Sequence, residues 1–100
     1  MEYEWDEDKR QANLAKHEVD LLDAVLIFEG KVFTFEDSRF DYGEQRMVSI
    51  GYADGQLYVL VHTERGATTR LISARKGGRR DQRKYQAGIA RGNSQDEGTG

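Results

Sequence analysis

The stretch that decides the fold spans residues 45–76 and reads QRMVSIGYADGQLYVLVHTERGATTRLISARK. Three segments within it have strand length and are rich in β-branched and aromatic residues: 45–53, 56–64 and 69–76. The turns between them, ADG at 53–55 and RGAT at 65–68, each supply a glycine for a positive backbone φ angle. Connections this short cannot make parallel crossovers, so the stretch predicts an antiparallel meander.

The segments before the meander predict one more long strand and a helix. KVFTFED at 31–37 has the composition and length of a strand. VDLLDAVLIFEG at 19–30 predicts a helix that Asp20 caps at its start and Gly30 ends. Hydrophobic periodicity therefore changes from helical to strand-like near residue 30.

The first residues predict a short strand and a helix. Tyr3 and Trp5 alternate with acidic residues, which is typical of a short opening strand. Asp6 then has the character of an N-cap residue for a helix over 8–17, whose first turn is acidic, as the helix dipole favours.

After the meander, RRDQRKYQAGIA at 79–90 predicts a closing helix. One hundred residues make a single small domain, which we place at residues 1–91, with a disordered C-terminal tail at 92–100. The predicted class is α+β: a small antiparallel four-stranded sheet, with two N-terminal helices and one C-terminal helix packed on it.

Charge is divided unevenly along the chain. Residues 1–44 carry 13 acidic and 5 basic side chains, a net −8, whereas residues 45–91 carry 3 acidic and 10 basic side chains, a net +7. The total is only −3. Such asymmetry indicates a surface for a polyanion more clearly than the total charge does.

Several classes of protein are excluded or disfavoured by composition. The chain contains no cysteine, so it has neither disulfides nor thiolate metal sites. The longest apolar run, AVLIF at 24–28, is too short to span a bilayer. The acidic and polar start, MEYEWDED, does not resemble a secretory signal, and we expect a cytoplasmic protein without membrane contacts.

Basic residues are concentrated where the last strand meets the closing helix. Residues 69–85 hold seven Arg and Lys side chains and a single acid, Asp81. Four of the seven fall along one side of the predicted helix: Arg79, Arg80, Arg83 and Lys84. Like charges so placed repel one another, which favours a face for an anionic partner. The plainer alternative is a solvated helix side paired with acids of the N-terminal half.

The other candidates for chemistry also have plainer roles. His17 and His62 are the two histidines, and their positions give no metal-ligand spacing. His17, with Lys16, serves equally well as a charge cap at a helix end. Glu64 either pairs with an arginine across the hairpin, Arg70 or Arg75, or acts as a general base beside a phosphate.

Two further features lie in the basic cluster. Tyr85 either packs its ring on the sheet or presents its hydroxyl to a substrate, and packing is the simpler role. Gly77 and Gly78 either form a hinge between strand and helix, which we favour, or bring backbone N–H groups close to a phosphate.

Four stretches resemble the BrnT family of toxins from bacterial toxin–antitoxin pairs. They are EWDEDKRQANLAKHEVD at 4–20, FTFEDSRFDYGEQR at 33–46, VHTERG at 61–66, and RLISARK followed by RR and Y within 70–85. The resemblance implies a RelE-like fold and a ribonuclease that inhibits translation. It also implies a BrnA-like antitoxin with a ribbon-helix-helix DNA-binding domain, and contact with operator DNA only through that antitoxin.

The chain departs from the usual pattern of that family at a few positions. Glu18 stands where the family usually has glycine, and His62 where it usually has tyrosine. Gly77-Gly78 replaces a small residue followed by threonine, and Asp81 matches the usual glutamate.

The predicted function is endonucleolytic cleavage of RNA without a metal or other cofactor. RNA supplies its own nucleophile, the 2′-hydroxyl, so the protein must supply a base, an acid and cations for the phosphate oxygens. The catalytic candidates are Arg75 and Arg70 for the phosphate, Glu64 or His17 as base with Lys16 nearby, and Tyr85 as acid. The candidate RNA contacts are Arg65, Lys76, Arg79, Arg80, Arg83 and Lys84. The alternative is a non-catalytic module, including an inactivated toxin, that binds RNA or protein with the same face.

Overall fold

A computed structural model describes residues 2–39 and 43–92 of the chain. The elements follow in the order β1 (Glu2–Glu4), α1 (Glu7–His17), α2 (Leu21–Ala24), a 3₁₀ helix (Val25–Glu29), β2 (Val32–Asp37), β3 (Arg46–Ala53), β4 (Gln56–Arg65), β5 (Thr68–Lys76) and α3 (Arg79–Ala90). The predicted tail lies outside the described residues from residue 93 onward, and the domain boundary at residue 91 stays a prediction.

The strands form one five-stranded sheet in the order β1-β5-β4-β3-β2. The predicted meander is confirmed, because β2, β3, β4 and β5 pair antiparallel in sequence. The predicted count of four strands is wrong, since β1 adds a fifth strand. It pairs with β5 in parallel, with Glu2 opposite Thr68. Pairing between residues so far apart in sequence leaves no local motif, and a three-residue strand alone does not reveal its partner.

Helices cover both faces of the sheet. Side chains alternate along each strand, so β4 sends Leu60 to one face and Val59 to the other. On the first face, which we call the α1/α2 face, Leu60 packs with residues such as Leu21 and Ile27. On the opposite face, the α3 face, Val59 packs with Phe33 and other residues beneath α3.

Helix α1 is fixed to the sheet through a buried asparagine. As predicted, Asp6 is its N-cap, and its side chain accepts from the backbone N–H groups of Asp8 and Lys9. Asn13 donates from Nδ2 to the carbonyl oxygens of Val19 and Ala74 at 2.9 Å, and its Oδ1 accepts from the Ala74 N–H. One side chain therefore joins α1, the following turn and β5.

The predicted helix over 19–30 is divided into two parts. Asp20 caps it as expected, but α2 has only four residues before the chain tightens into the 3₁₀ helix. Val25 and Ile27 are β-branched, and such residues favour the α-helix less than straight side chains do. The tighter turn places Ile27 fully in the core, at 0% exposure.

Two glycines allow close approaches beneath α3, whose bounds agree with the prediction for 79–90. A Cβ atom on Gly88 would run into the ring of Phe33, so the helix can lie against β2 only with glycine at this position. A Cβ on Gly77 would lie 2.7 Å from Leu57 Cδ2. Gly77 therefore lies close against Leu57, whereas a Cβ on Gly78 would have nothing within 4 Å. Among the described residues, no helix is long and apolar enough to cross a membrane.

Candidate functional site

An open cavity of about 430 Å³ lies on the α3 face, and we call it the α3-face cavity. Its floor is apolar and consists of Phe35, Val48, Ile50, Val59 and Val61. Its rim is charged and includes Asp37, Arg39, Arg75, Asp81 and Lys84. Charged side chains around a partly dry floor can interact more strongly with a charged ligand than they would in open solvent.

Arg75, at the end of β5, is oriented by the first turn of α3. Its Nη1 and Nη2 donate to Oδ2 and Oδ1 of Asp81 at 2.8 and 3.1 Å. This pairing raises the pKa of Arg75 and lowers the pKa of Asp81. Oδ2 of Asp81 also accepts from the Gly78 N–H at 2.9 Å, which ties the pair to the start of the helix.

Two more cations line the same cavity. The Nζ atom of Lys84 lies 3.9 Å from the centroid of the Phe35 ring, in a cation–π contact. Arg39 donates from Nε and Nη2 to the buried carboxylate of Asp37 at 2.9 and 3.0 Å. The two acids whose side chains point to this face, Asp37 and Asp81, are each held by an arginine, whereas alternation along β2 places the Glu36 side chain on the α1/α2 face with that of Thr34.

Arg70 and Arg75 lie on the same face of the sheet, because the β4–β5 register skips Ile72 and so interrupts the alternation of β5, but they are far apart. They are five positions apart on β5, which corresponds to about 16 Å along a strand. Arg70 donates from Nη1 to Oε2 of Glu4 at 3.1 Å. Arg65 is 3.6 Å from Glu4 and 3.3 Å from Glu44. Arg65 and Arg70 therefore pair with acids of the N-terminal half, and Arg70 does not line the cavity that Arg75 lines.

Of the two roles considered for Tyr85, the structure shows packing of the ring. Its ring meets Tyr52 edge-on at 5.5 Å between centroids, and its hydroxyl donates to the Lys31 carbonyl oxygen at 3.2 Å. It does not line the α3-face cavity.

The remaining basic candidates are placed on exposed surfaces. Those on α3 (Arg79, Arg80 and Arg83) and the one at the end of β5 (Lys76) are exposed. Lys16 and His17 end α1, as predicted for cations at a helix C-terminus, and do not line the α3-face cavity.

Glu64 lies on the α1/α2 face, opposite the side of the sheet that carries Arg75. The predicted pairing of Glu64 with Arg70 or Arg75 is wrong: its Oε2 lies 2.7 Å from His62 Nδ1, and its Oε1 accepts from Thr69 Oγ1 at 2.7 Å. The cause is strand alternation, because the register places Glu64 opposite Thr69 on β5.

His62 continues this polar chain into the protein. Its Nε2 lies 2.8 Å from Ser49 Oγ, which in turn lies 2.7 Å from Thr34 Oγ1. The residue is 4% exposed, and burial lowers its pKa more than the neighbouring Glu64 raises it. An imidazole so enclosed holds a carboxylate in place but does not reach a substrate.

Our sequence reasoning missed Phe35, Asp37 and Arg39 as site residues. Their signal was FEDSR at 35–39, in which an aromatic residue, two acids and an arginine follow one another at the end of a strand. Within residues 2–39 and 43–92, no three His, Asp or Glu side chains come together in a group that could hold a metal ion.

Comparison with known proteins gives one result that bears on identity. A family model described as the ribonuclease toxin BrnT of type II toxin–antitoxin systems matches residues 5–81. This match confirms the resemblance inferred from the four stretches of sequence. No curated protein matches the chain.

Proposed function

We propose that this chain, which belongs to the BrnT family of ribonuclease toxins of type II toxin–antitoxin systems, cleaves RNA at the α3-face cavity. The observation that carries the proposal is the presence of Arg39, Arg75 and Lys84 around one open cavity. A phosphate undergoing attack gains negative charge, and cations that are already in place stabilise that charge. The apolar floor, with the ring of Phe35, suits a nucleobase next to that phosphate.

In the proposed reaction, the 2′-hydroxyl oxygen forms a bond to the adjacent phosphorus and the bond to the 5′-oxygen breaks. Arg75 and Lys84 hold the charge on the non-bridging oxygens. A water molecule takes the hydroxyl proton, because Asp37 and Asp81 are already engaged by arginines and the Glu36 side chain, two positions after Thr34 on β2, lies on the α1/α2 face. Water protonates the leaving oxygen, and the products are a 2′,3′-cyclic phosphate and a 5′-hydroxyl. The proposed reaction has no role for Glu64, Lys16 or His17, because none of them lines this cavity.

The basic side chains of α3 extend the surface beyond the reacting phosphate. Arg79, Arg80 and Arg83 are exposed on the helix that carries Lys84, and Lys76 is exposed at the end of β5. Such side chains contact the backbone of a single strand without reading its sequence. They would hold the RNA while Arg75 acts on one phosphate.

Purified protein and end-labelled single-stranded RNA test this proposal. We expect wild-type protein to shorten the RNA, and Arg75→Ala to lower the cleavage rate at saturating RNA by about 10²–10³, as for loss of one preorganised donor. Lys9→Ala, which removes an exposed cation from α1, is the matched control and should retain the wild-type rate. RNA that is bound and shifted but never shortened would instead support the non-catalytic binding module.

The proposed reaction uses arginine and lysine where other nucleases use a metal ion. We therefore expect cleavage to continue at the same rate in excess EDTA. Activity that chelator abolishes and Mg²⁺ restores would contradict this part of the proposal. Addition of the protein to a cell-free translation reaction should stop synthesis in parallel with loss of the messenger.

For the partner, family membership implies an antitoxin, and we propose that it is a BrnA-like protein with a ribbon-helix-helix DNA-binding domain. Mixing the two proteins should abolish RNA cleavage. The complex should retard operator DNA in a gel, whereas the toxin alone should not.

A further inference from the structure

A second cavity, of about 390 Å³, opens on the α1/α2 face above Glu64, and we call it the Glu64 socket. Phe28, Val32 and Met47 form its apolar walls. Glu64 is the carboxylate among its lining residues, and none of the described residues that line it is lysine or arginine. An apolar cavity with a single anionic group suits a ligand that has an apolar stem and a positive end.

The Glu64 carboxylate is held rigidly at this cavity. Each of its oxygens has one hydrogen-bond partner, Thr69 on one side and His62 on the other, and each keeps lone-pair capacity for another donor. His62 is itself fixed by Ser49 and by the edge of the Phe28 ring, whose centroid is 5.4 Å away. The Glu64 side chain is 50% exposed, so a ligand can reach it.

The electrostatic surroundings favour a cation over RNA. Residues 1–44, which include α1, α2 and the 3₁₀ helix, carry a net −8. Near the socket, burial and the charges of Glu29 and Glu64 together raise the pKa of Tyr3. A negative surface attracts a basic group on a partner and repels a nucleic acid backbone.

We propose that the Glu64 socket binds an arginine side chain of the antitoxin. The inference rests on the proposed function only in taking the antitoxin as the partner. A guanidinium can donate two parallel hydrogen bonds to the Glu64 carboxylate, and its methylene stem can pack between Phe28 and Met47. The RNA site and the antitoxin anchor then lie on opposite faces of one sheet.

Titration of the isotope-labelled protein with Nα-acetyl-arginine amide tests the chemistry of the socket directly. We expect saturable chemical-shift changes at the backbone amides of Met47, Glu64 and Thr69, and no such changes with Nα-acetyl-norleucine amide, which has an apolar stem without the charge. Glu64→Gln should abolish the response, and Glu18→Gln, which removes one acid outside the socket, should preserve it. Equal responses in the two variants would overturn the proposal. A response to guanosine monophosphate but not to the arginine probe would show a nucleotide site instead.

Affinity for the purified antitoxin then tests the choice of partner. Removing one member of a buried, hydrogen-bonded charge pair typically costs 2–5 kcal/mol, so Glu64→Gln should weaken the complex by about 30-fold or more, with Glu18→Gln unchanged. Equal affinities of the two variants would show that the antitoxin does not use the socket. RNA cleavage by the free wild-type protein is measured separately. Failure of the ribonuclease proposal would appear as uncleaved RNA, whereas failure of the socket proposal would appear as equal antitoxin affinities of the two variants.

Discussion

Arg75 and Asp81 form a two-point ion pair that joins the end of β5 to the first turn of α3. Asp81 also accepts the Gly78 N–H, so the carboxylate orients the arginine and caps the helix at once. The same carboxylate competes with any phosphate that approaches Arg75. We therefore expect this one side chain to weaken RNA binding while it favours the geometry of the proposed reaction.

Asp81→Asn separates these two effects. Removing the negative charge should tighten RNA binding by about twofold to fivefold, within the range for a partly exposed ion pair. The cleavage rate at saturating RNA should fall by roughly tenfold to a hundredfold, because a catalytic group displaced by about 1 Å loses up to that much. Asp81→Glu, which restores the carboxylate and the residue usual in the family, should recover most of the rate. A parallel fall in binding and rate for Asp81→Asn would indicate a merely structural role.

Arg83→Ala tests whether α3 contacts the RNA backbone. Loss of one phosphate contact on a single strand should reduce the slope of log affinity against log salt concentration by about 0.7. Affinity should weaken for all RNA sequences alike, since phosphate contacts carry no sequence information. Filter binding between 50 and 300 mM salt measures the slope. An unchanged slope would remove Arg83 from the RNA surface.

His62 predicts how folding stability depends on pH. Burial lowers its pKa below the ordinary value of 6.5, so between the two pKa values the unfolded chain binds a proton that the folded chain does not. Protonation of His62 therefore favours unfolding. The stability that the neutral, buried imidazole contributes is fully present above pH 6.5 and declines as the pH falls below that value. We expect the thermal midpoint to fall from pH 7.5 to 5.5, and to fall less in His62→Tyr, the residue usual in the family. Equal pH dependence in both proteins would assign the effect to other groups.

Glu18 predicts a stabilising substitution. It adopts the left-handed conformation, with φ of 57° and ψ of 32°, at the end of α1. A non-glycine residue in this conformation costs roughly 1–2 kcal/mol. Glycine gives the unfolded chain more entropy, which offsets part of the gain, so Glu18→Gly should raise the free energy of unfolding by about 1 kcal/mol. Urea denaturation measures the change. Asp54, with φ of 51°, is the matched control: Asp54→Gly should gain less, because aspartate tolerates this conformation better.

Gly88 predicts a destabilising substitution beneath α3. An added Cβ would meet the Phe33 ring, so Gly88→Ala must move the helix or the ring and should cost about 1–3 kcal/mol of unfolding free energy. This result is opposite to the usual gain from replacing glycine by alanine inside a helix. Gly30→Ala is the control, since an added Cβ there has nothing within 4 Å. A stabilised Gly88→Ala protein would show that α3 is not closely packed on β2.

Local features of the sequence predicted most of the fold. The predicted ends of β3, β4 and β5 agree with the observed ends to within one residue. The reason is that Asp54-Gly55 and Gly66 fix both the turn and the register of each hairpin. The predicted N-caps Asp6 and Asp20 are confirmed, because capping also depends only on residues close together in sequence, within one helical turn. The parallel pairing of β1 with β5 was missed because it depends on the path of the whole chain.

The site was predictable only in part. The position of Arg75 at the end of a strand, beside the closing helix, could be read from the sequence, whereas its bidentate contact with Asp81 needed the helix orientation. Assigning Glu64 to the same site failed because alternation along β4 places it on the face of Leu60 and His62, whereas Arg75 is opposite Val59 on the other face. Which residue of β5 lies opposite Val59 depends on the register between the two strands, and the sequence alone does not show that register. Arg39 was missed because it follows β2, an edge strand that β3 and β4 separate from β5.

The pairing of β1 with β5 has a consequence for synthesis. During translation β1 is made before any other strand and β5 after all of them, so β1 has no partner until residues 68–70 have been added. A product truncated before β5 has no Arg75, no junction with α3 and an unpaired β4 edge that favours aggregation. Synthesis interrupted before residue 75 therefore yields fragments that lack the central arginine of the proposed RNA site.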